Sequence, residues 1–175
     1  MNPPPLVQRA LALAADAGCE PSCAPEDGAL LHVLAGRRGV LRAGEIGTGT
    51  GVGAARIVSA LAPGTPFVSV ERDPARAALA ATLFRHDPDV RILTGDWRDL
   101  LPPEAPFDLL FVGADAGADA AAVVGLMAPG GTALLDDLPN GTAGAARGSW
   151  LGHPDLAATE IWVTPRRSAI VAVRV

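Results

Sequence analysis

A chain of 175 residues, 49% of them apolar and with a net charge of −5, suits a single domain burying about two-thirds of its unfolded surface. No run approaches the roughly 20 apolar residues that cross a bilayer, so a membrane partner is not expected. All 14 basic residues are Arg and lie scattered, which argues against nucleic acid, whose phosphates want a basic stripe. The lack of Lys excludes a P-loop lysine, a Schiff base and a lysine general base. Met1-Asn2-Pro3-Pro4-Pro5 carries no basic flank and no cleavage-like site, so a cytoplasmic chain without a secretory leader is expected. Cys19 and Cys23 have no second pair nearby. Free or buried thiols are expected there, and not a closed zinc site.

Pro5 fits the first turn of a helix whose apolar stripe is Leu6, Ala10, Leu13, Ala14 and Ala17, ended by Gly18. After a turn, Pro25-Glu26-Asp27 opens a second helix through Leu30, Leu31 and Leu34 to Gly36. Its two acids suit the positive end of the helix dipole. A strand over 40–46 then runs into a glycine loop. A helix over 52–62 leaves it, with Ala54, Ile57, Val58 and Leu61 spaced i, i+3, i+4, i+7. Pro63-Gly64 turns the chain into a second strand, 66–71, and Asp73 caps a helix that starts at Pro74 and reaches about residue 86. A third strand, 90–93, precedes a short helix, 97–101, that Pro102-Pro103 stops. The fourth strand, 107–112, is apolar on both faces, as a doubly covered sheet requires. A helix over 118–127 ends at Pro129-Gly130-Gly131, and a fifth strand covers 132–136.

This alternation implies right-handed crossovers and a parallel sheet. The end of the chain differs. Residues 158–164 and 168–175 are rich in β-branched side chains, and Pro165-Arg166-Arg167 joins them as an antiparallel hairpin. The expected organisation is one domain over 1–175, with a helical segment over 1–38 and a mixed α/β core over 39–175.

The loop Glu45-Ile46-Gly47-Thr48-Gly49-Thr50-Gly51-Val52-Gly53 is the centre of the pattern. Its glycines let a ligand approach bare backbone, and the following helix offers unpaired N–H groups. The frame Gly49-x-Gly51-x-x-Ala54 also fits a dinucleotide fingerprint, so the glycines alone do not choose the nucleotide. The acids around them do. Glu45 ends the first strand; Glu71 ends the second, where its carboxylate can accept from ribose hydroxyls. Gly95-Asp96-Trp97 puts a carboxylate and a flat ring after the third.

This set resembles the class I S-adenosylmethionine-dependent methyltransferases, whose Rossmann-like, mostly parallel seven-stranded sheet likewise finishes in an antiparallel hairpin. The resemblance covers about 39–175 and implies S-adenosylmethionine as cofactor. Gly47, Gly49 and Gly51 would give close backbone approach, and Thr48 a hydroxyl contact. Glu45 would order the loop or meet the cationic amino-acid end of the cofactor, or else merely cap neighbouring N–H groups. Glu71, with Arg72 beside it, would take the ribose; Asp96 would accept from the adenine amino group, with Trp97 against the ring; and Gly113 would line the pocket. In such proteins N-terminal helices cover the cleft or make a dimer contact, so a homodimer is one expectation; a plain helical pad on the sheet is the other.

Phe111-Val112-Gly113-Ala114-Asp115-Ala116-Gly117 lacks the Asp/Asn-Pro-Pro-aromatic segment of base-methylating enzymes. It is similar instead to the small-molecule O-methyltransferases of the catechol and caffeoyl-CoA type. In those, strand four ends Phe-Val-Asp-Ala-Asp-Lys and strand five ends in an Asp-Asn pair after Pro-Gly-Gly. Strand five agrees here, with Pro129-Gly130-Gly131 leading to Asp136-Asp137. Strand four does not: Gly113 replaces a metal-binding Asp, and Ala116 replaces the lysine often assigned as base. Asp136 and Asp137, with Asp115, remain candidate ligands for Mg²⁺ through oxygens and water. Alternatively Asp136 and Asp137 cap the next helix or act as acid/base without metal, Asp136 first and His153 second as proton acceptor. The substrate expected is a small molecule offering one hydroxyl or carboxylate. Two rivals stand beside this reading: an NAD(P)-dependent oxidoreductase, and a degenerate module that binds the cofactor without turnover.

Overall fold

The computed structural model describes residues 3–113, 120–139 and 145–175. Seven strands form one sheet in the order β3-β2-β1-β4-β5-β7-β6. Strands β1 (Ala43–Ile46), β2 (Phe67–Glu71), β3 (Val90–Thr94), β4 (Phe107–Val112) and β5 (Met127–Pro139) are parallel. Strand β7 (Arg167–Arg174) runs antiparallel to β5, and β6 (Leu156–Trp162) antiparallel to β7. The antiparallel end expected from the sequence is present, and it sets this sheet apart from the six parallel strands of a dinucleotide fold.

Two apolar layers cover the sheet. On one face Ile46, Val70, Leu110, Val112 and Leu135 pack with Trp97, Trp150 and the helix α6 (Ala120–Val124). On the other, Ala43, Phe67, Leu109, Phe111 and Leu134 meet α1 (Pro5–Asp16), α2 (Pro25–Ala35) and α3 (Val52–Val58). Neighbouring β4 residues thus serve opposite cores, which is why that strand reads as a continuous apolar run. Helix α4 (Pro74–Phe84) starts at an Asp73 cap that accepts from the N–H groups of Ala75 and Arg76. The short α5 (Trp97–Leu100) is capped by Asp96. Among the described residues no helix is long and apolar enough to cross a membrane.

Several boundaries differ from the sequence reading, each for a local reason. Strand β1 begins at Ala43 and not near residue 40, because the N–H groups of Leu41 and Arg42 go to Asp108 Oδ2 at 2.9 and 3.0 Å. Helix α3 stops at Val58, where the Ser59 hydroxyl folds back on Ala55 O at 2.6 Å and a tight turn follows. Strand β5 is much longer than 132–136: Pro129-Gly130-Gly131 forms an irregularity inside it and not a turn before it, with Gly130 at φ 74°. Helix α7 (Ala145–Leu151), for which the sequence reading gave no bounds, is anchored by the fully buried Trp150.

Candidate functional site

The C-terminal edge of β1, β2, β4 and β5 opens into a cleft of about 1320 Å³. Gly47, Gly49 and Gly113 form its floor, Glu71 and Trp97 stand on one side, and Asp136 on the other. The 18–25 segment between α1 and α2 roofs it, together with Asp27 and, from the hairpin turn, Arg167.

Loop geometry follows from the glycines. Gly47 has φ 90°, and the position its Cβ would occupy has nothing within 4 Å, so that side is open. Gly49 has φ 54°, and a Cβ there would collide with Ser22 of the roof. Gly51, at φ 86°, instead packs against Leu83 and Ala80 of α4 and is not part of the cleft wall. Ser22 also accepts the N–H of Val52 through Oγ at 3.2 Å, satisfying a donor in the first turn of α3. The N-terminal helices therefore do two things: they fill the core through Val7, Ala10 and Leu31, and they cover the cleft.

Glu71, 8% exposed, accepts the Gly49 N–H at 2.7 Å through Oε2 and the Asp73 N–H at 2.9 Å through Oε1. One lone pair on each oxygen is left for a ligand. Trp97 is buried at the cleft wall, with the Arg98 guanidinium 4.5 Å from its ring centroid. Arg72 lines the cleft, its side chain 73% exposed and 3.8 Å from Asp96. Asp96 itself lies off the cleft lining. Its Oδ1 accepts the Arg98 N–H at 2.9 Å as the α5 cap, and it pairs with Arg98 at 3.7 Å.

Glu45 and Thr48 lie beneath the loop. Both are fully buried and neither lines the cleft. Ser69 Oγ donates to Glu45 Oε2 at 2.5 Å, and Thr48 Oγ1 meets Ser69 Oγ at 2.5 Å, so the three side chains form one chain of hydrogen bonds. Burial pushes the Glu45 carboxyl up to about 8; the Ser69 hydrogen bond opposes this, Asp136 and Glu71 add to it, and the Ala54 amide opposes it weakly. Burial thus favours the neutral form of Glu45. Contact with the cationic end of a ligand, one of the roles its sequence position allowed, is closed to a side chain sealed beneath the loop, and Thr48 likewise spends its hydroxyl inward.

Asp136 is 4% exposed and faces the cleft from β5. His153 does not join it. The start of β6 is level with the start of β5, since Leu156 pairs with Arg174 and Val173 with Thr132. His153, in the turn before Leu156, thus sits at the opposite edge of the sheet, where its Nδ1 accepts the Asp155 N–H at 3.2 Å. The expectation of His153 as a second proton acceptor is corrected by that register. Asp115, Ala116 and the side chain of Asp137 lie outside the described residues; among the latter, no three His, Cys, Asp or Glu side chains converge as a metal site would need. Gly113 is tight as well, since a Cβ there would stand 3.3 Å from Ile46 O.

Sequence reasoning missed Ser22, Cys23, Asp27 and Arg167. The signal for Arg167 was present in the expected hairpin: it pairs with Pro139 at the far end of β5, so the turn must reach the Asp136 edge. Cys23 is 4% exposed, and burial first, then Asp136, Asp27 and Glu45, raise its thiol far above the ordinary range while Arg56 opposes them. It is a protonated and unreactive thiol at neutral pH.

A parallel sheet closed by an antiparallel hairpin, with glycine loop and strand-end acids around one cleft, defines the Rossmann-like methyltransferase class. The Methyltransferase domain family matches residues 45–138, more than half of the chain, and the chain belongs to that family. The O-methyltransferase from Bacillus cereus in complex with SAH superposes with a TM-score of 0.83 at 21% identity, over 100% of this chain and 93% of that one. An O-methyltransferase of tomaymycin synthesis from Streptomyces achromogenes, in complex with SAM, gives 0.78 at 22%, over 99% and 91%. These likenesses establish the fold. A protein-L-isoaspartate O-methyltransferase from Methanopyrus kandleri is 32% identical over 94 residues, 52% of this chain and 42% of the relative. The chain thus spans less than half the length of the curated relative it matches.

Proposed function

We infer that the protein is an S-adenosylmethionine-dependent methyltransferase acting on an oxygen of a small molecule. The observation that carries this is the juxtaposition of the open Gly47 backbone with Glu71, whose carboxylate both grips the loop and faces the cleft. Gly47 and Gly49 would lie along the cofactor, Glu71 would accept from the ribose hydroxyls, and Trp97 would flank the adenine. Asp96 would hold α5, and through it Trp97, in place. Glu45 and Thr48 would act from below, by bracing Ser69 and the loop. S-adenosylmethionine, when bound, supplies an activated methyl group on a sulfonium centre.

Asp136 is the residue in position to take the proton of the acceptor hydroxyl, and the roofed cleft would hold that oxygen in line while excluding water. Of the oxygen donors expected for Mg²⁺, the described cleft offers Asp136 alone, so no step here runs through a metal. The O-methyltransferase relatives in SAH and SAM complexes support the cofactor and the choice of oxygen. Thermal shift tests the reading. A ligand at a hundred times its Kd adds about 2.7 kcal/mol, so S-adenosylhomocysteine should raise the Tm and NAD(H) should not. The reverse result would overturn it in favour of an oxidoreductase. Binding without turnover over a panel of phenols, catechols and carboxylates would leave a non-catalytic module.

A further inference from the structure

Asp27 is a first-turn acid of α2, a position where a carboxylate ordinarily faces water near the helix dipole. Here it is 1% exposed, and it faces the cleft. Its Oδ1 is buried without any hydrogen-bond partner. The N-cap position of α2 is Ala24, which offers no capping side chain. A buried carboxylate oxygen with no donor is costly, and at the wall of a cleft a bound ligand can supply that donor.

The position is built and held. Gly28, the next residue, brings α2 so close to α3 that any Cβ would press into the Arg56 side chain at 2.6 Å. His32, one turn on, meets Arg56 O through Nδ1 at 3.2 Å. Ser22 fixes the preceding loop to the start of α3. Asp27 therefore cannot swing out to water without unseating α2. Burial, then Glu26, raise its carboxyl to about 6, while Arg167 pulls the other way, so its charged form is poorly compensated until a cation joins it. Cys23 beside it is neutral and feels both Asp27 and Asp136. Glu45 lies sealed under the loop and does not line the cleft.

We propose that Asp27 is the ammonium-binding carboxylate of the cleft, accepting a charge-assisted hydrogen bond from a protonated amine of a bound ligand. The proposal rests on the methyltransferase reading of the same cleft. Two sources carry that chemistry: the amino-acid end of the cofactor, and an amine on the methyl acceptor. A ligand carboxylate at this point would instead add a third negative group beside Asp27 and Asp136, against Arg167.

Calorimetry on wild type, Asp27→Asn and, as a control at the exposed neighbour, Glu26→Gln separates the cases. S-adenosylhomocysteine carries the amino-acid ammonium; 5′-methylthioadenosine lacks it and reports on the adenosine end and on folding. If the cofactor is the source, Asp27→Asn weakens S-adenosylhomocysteine about tenfold and leaves 5′-methylthioadenosine unchanged. If the acceptor is the source, wild type loaded with S-adenosylhomocysteine prefers 4-(2-aminoethyl)phenol to 4-ethylphenol about tenfold. Asp27→Asn then abolishes that preference. Unchanged ratios in both pairs overturn the proposal, as does equal loss in Glu26→Gln. Wild type binding neither adenosine compound would instead remove the methyltransferase reading, and the phenol pair, then measured on the unloaded protein, would still decide on Asp27.

Discussion

Glu71 Oε2 accepts the Gly49 N–H at 2.7 Å, so the end of β2 holds the glycine loop that follows β1. The other oxygen takes the Asp73 N–H at 2.9 Å and fixes the turn into α4. One carboxylate thus ties together two loops of the cleft.

Glu71→Ala should therefore cost twice. Loss of a paired, charge-assisted contact to the ribose is expected to weaken S-adenosylhomocysteine by about 1.5–3 kcal/mol, roughly ten- to hundred-fold. Two part-buried N–H groups also lose their acceptor, which should lower folding stability by about 1 kcal/mol. A merely solvated strand end would show neither loss. Calorimetry with a denaturation curve measures both; wild-type affinity would remove Glu71 from the cofactor site.

Glu45 gives a pH prediction. Its folded pKa, about 8, exceeds the ordinary 4.5, so the folded state binds the extra proton between those values. The stabilisation from the neutral, bonded acid is complete below pH 4.5 and is lost as pH rises to about 8. The loss is at most about 5 kcal/mol. Glu45→Gln keeps an uncharged acceptor for Ser69 and should flatten this part of the stability curve, raising Tm above wild type at pH 8. Parallel curves for the two proteins would show that Glu45 is ionised in the fold.

The contrast between these two acids explains what the sequence could and could not tell. Glu71 was legible because its role is local: a strand end, a turn, then Asp73-Pro74. The parallel sheet and closing hairpin were legible for the same reason, being written as periodicity within each segment. Glu45 looked equivalent to Glu71, but its state depends on Ser69, 24 residues away, and on the packing of α3 above it. Asp27 looked like a dipole acid until α2 was placed on α3. His153 looked catalytic by residue type, and only the register of β6 on β7 sends it to the opposite edge. Helix α7 carries no apolar stripe that announced it in the sequence, and it buries Trp150 completely.

Asp136 is the candidate proton acceptor, so Asp136→Asn should lower turnover by about 10²–10⁴ while S-adenosylhomocysteine affinity stays near wild type. His153→Ala, at the other sheet edge, should leave turnover unchanged. A large loss in the His153 variant with none in the Asp136 variant would reverse these roles.

Metal dependence is the last expectation, and it turns on Gly113. Where the resembled O-methyltransferases place a metal-binding Asp, this chain has no side chain, and among the described residues only Asp136 of the expected donors faces the cleft. Mg²⁺ demands octahedral oxygen geometry and gives up water reluctantly, so one or two carboxylates hold it weakly. Turnover should withstand EDTA, and a single hydroxyl should serve as acceptor as well as a vicinal diol does. Activity abolished by EDTA and restored by Mg²⁺ would show that the carboxylates after β4 and β5 suffice without residue 113. Gly113→Asp separates the two accounts further. Its Cβ must displace Ile46 O slightly from 3.3 Å, a small cost in stability, and it adds the missing ligand. That variant should gain a Mg²⁺-dependent rise in Tm that wild type lacks.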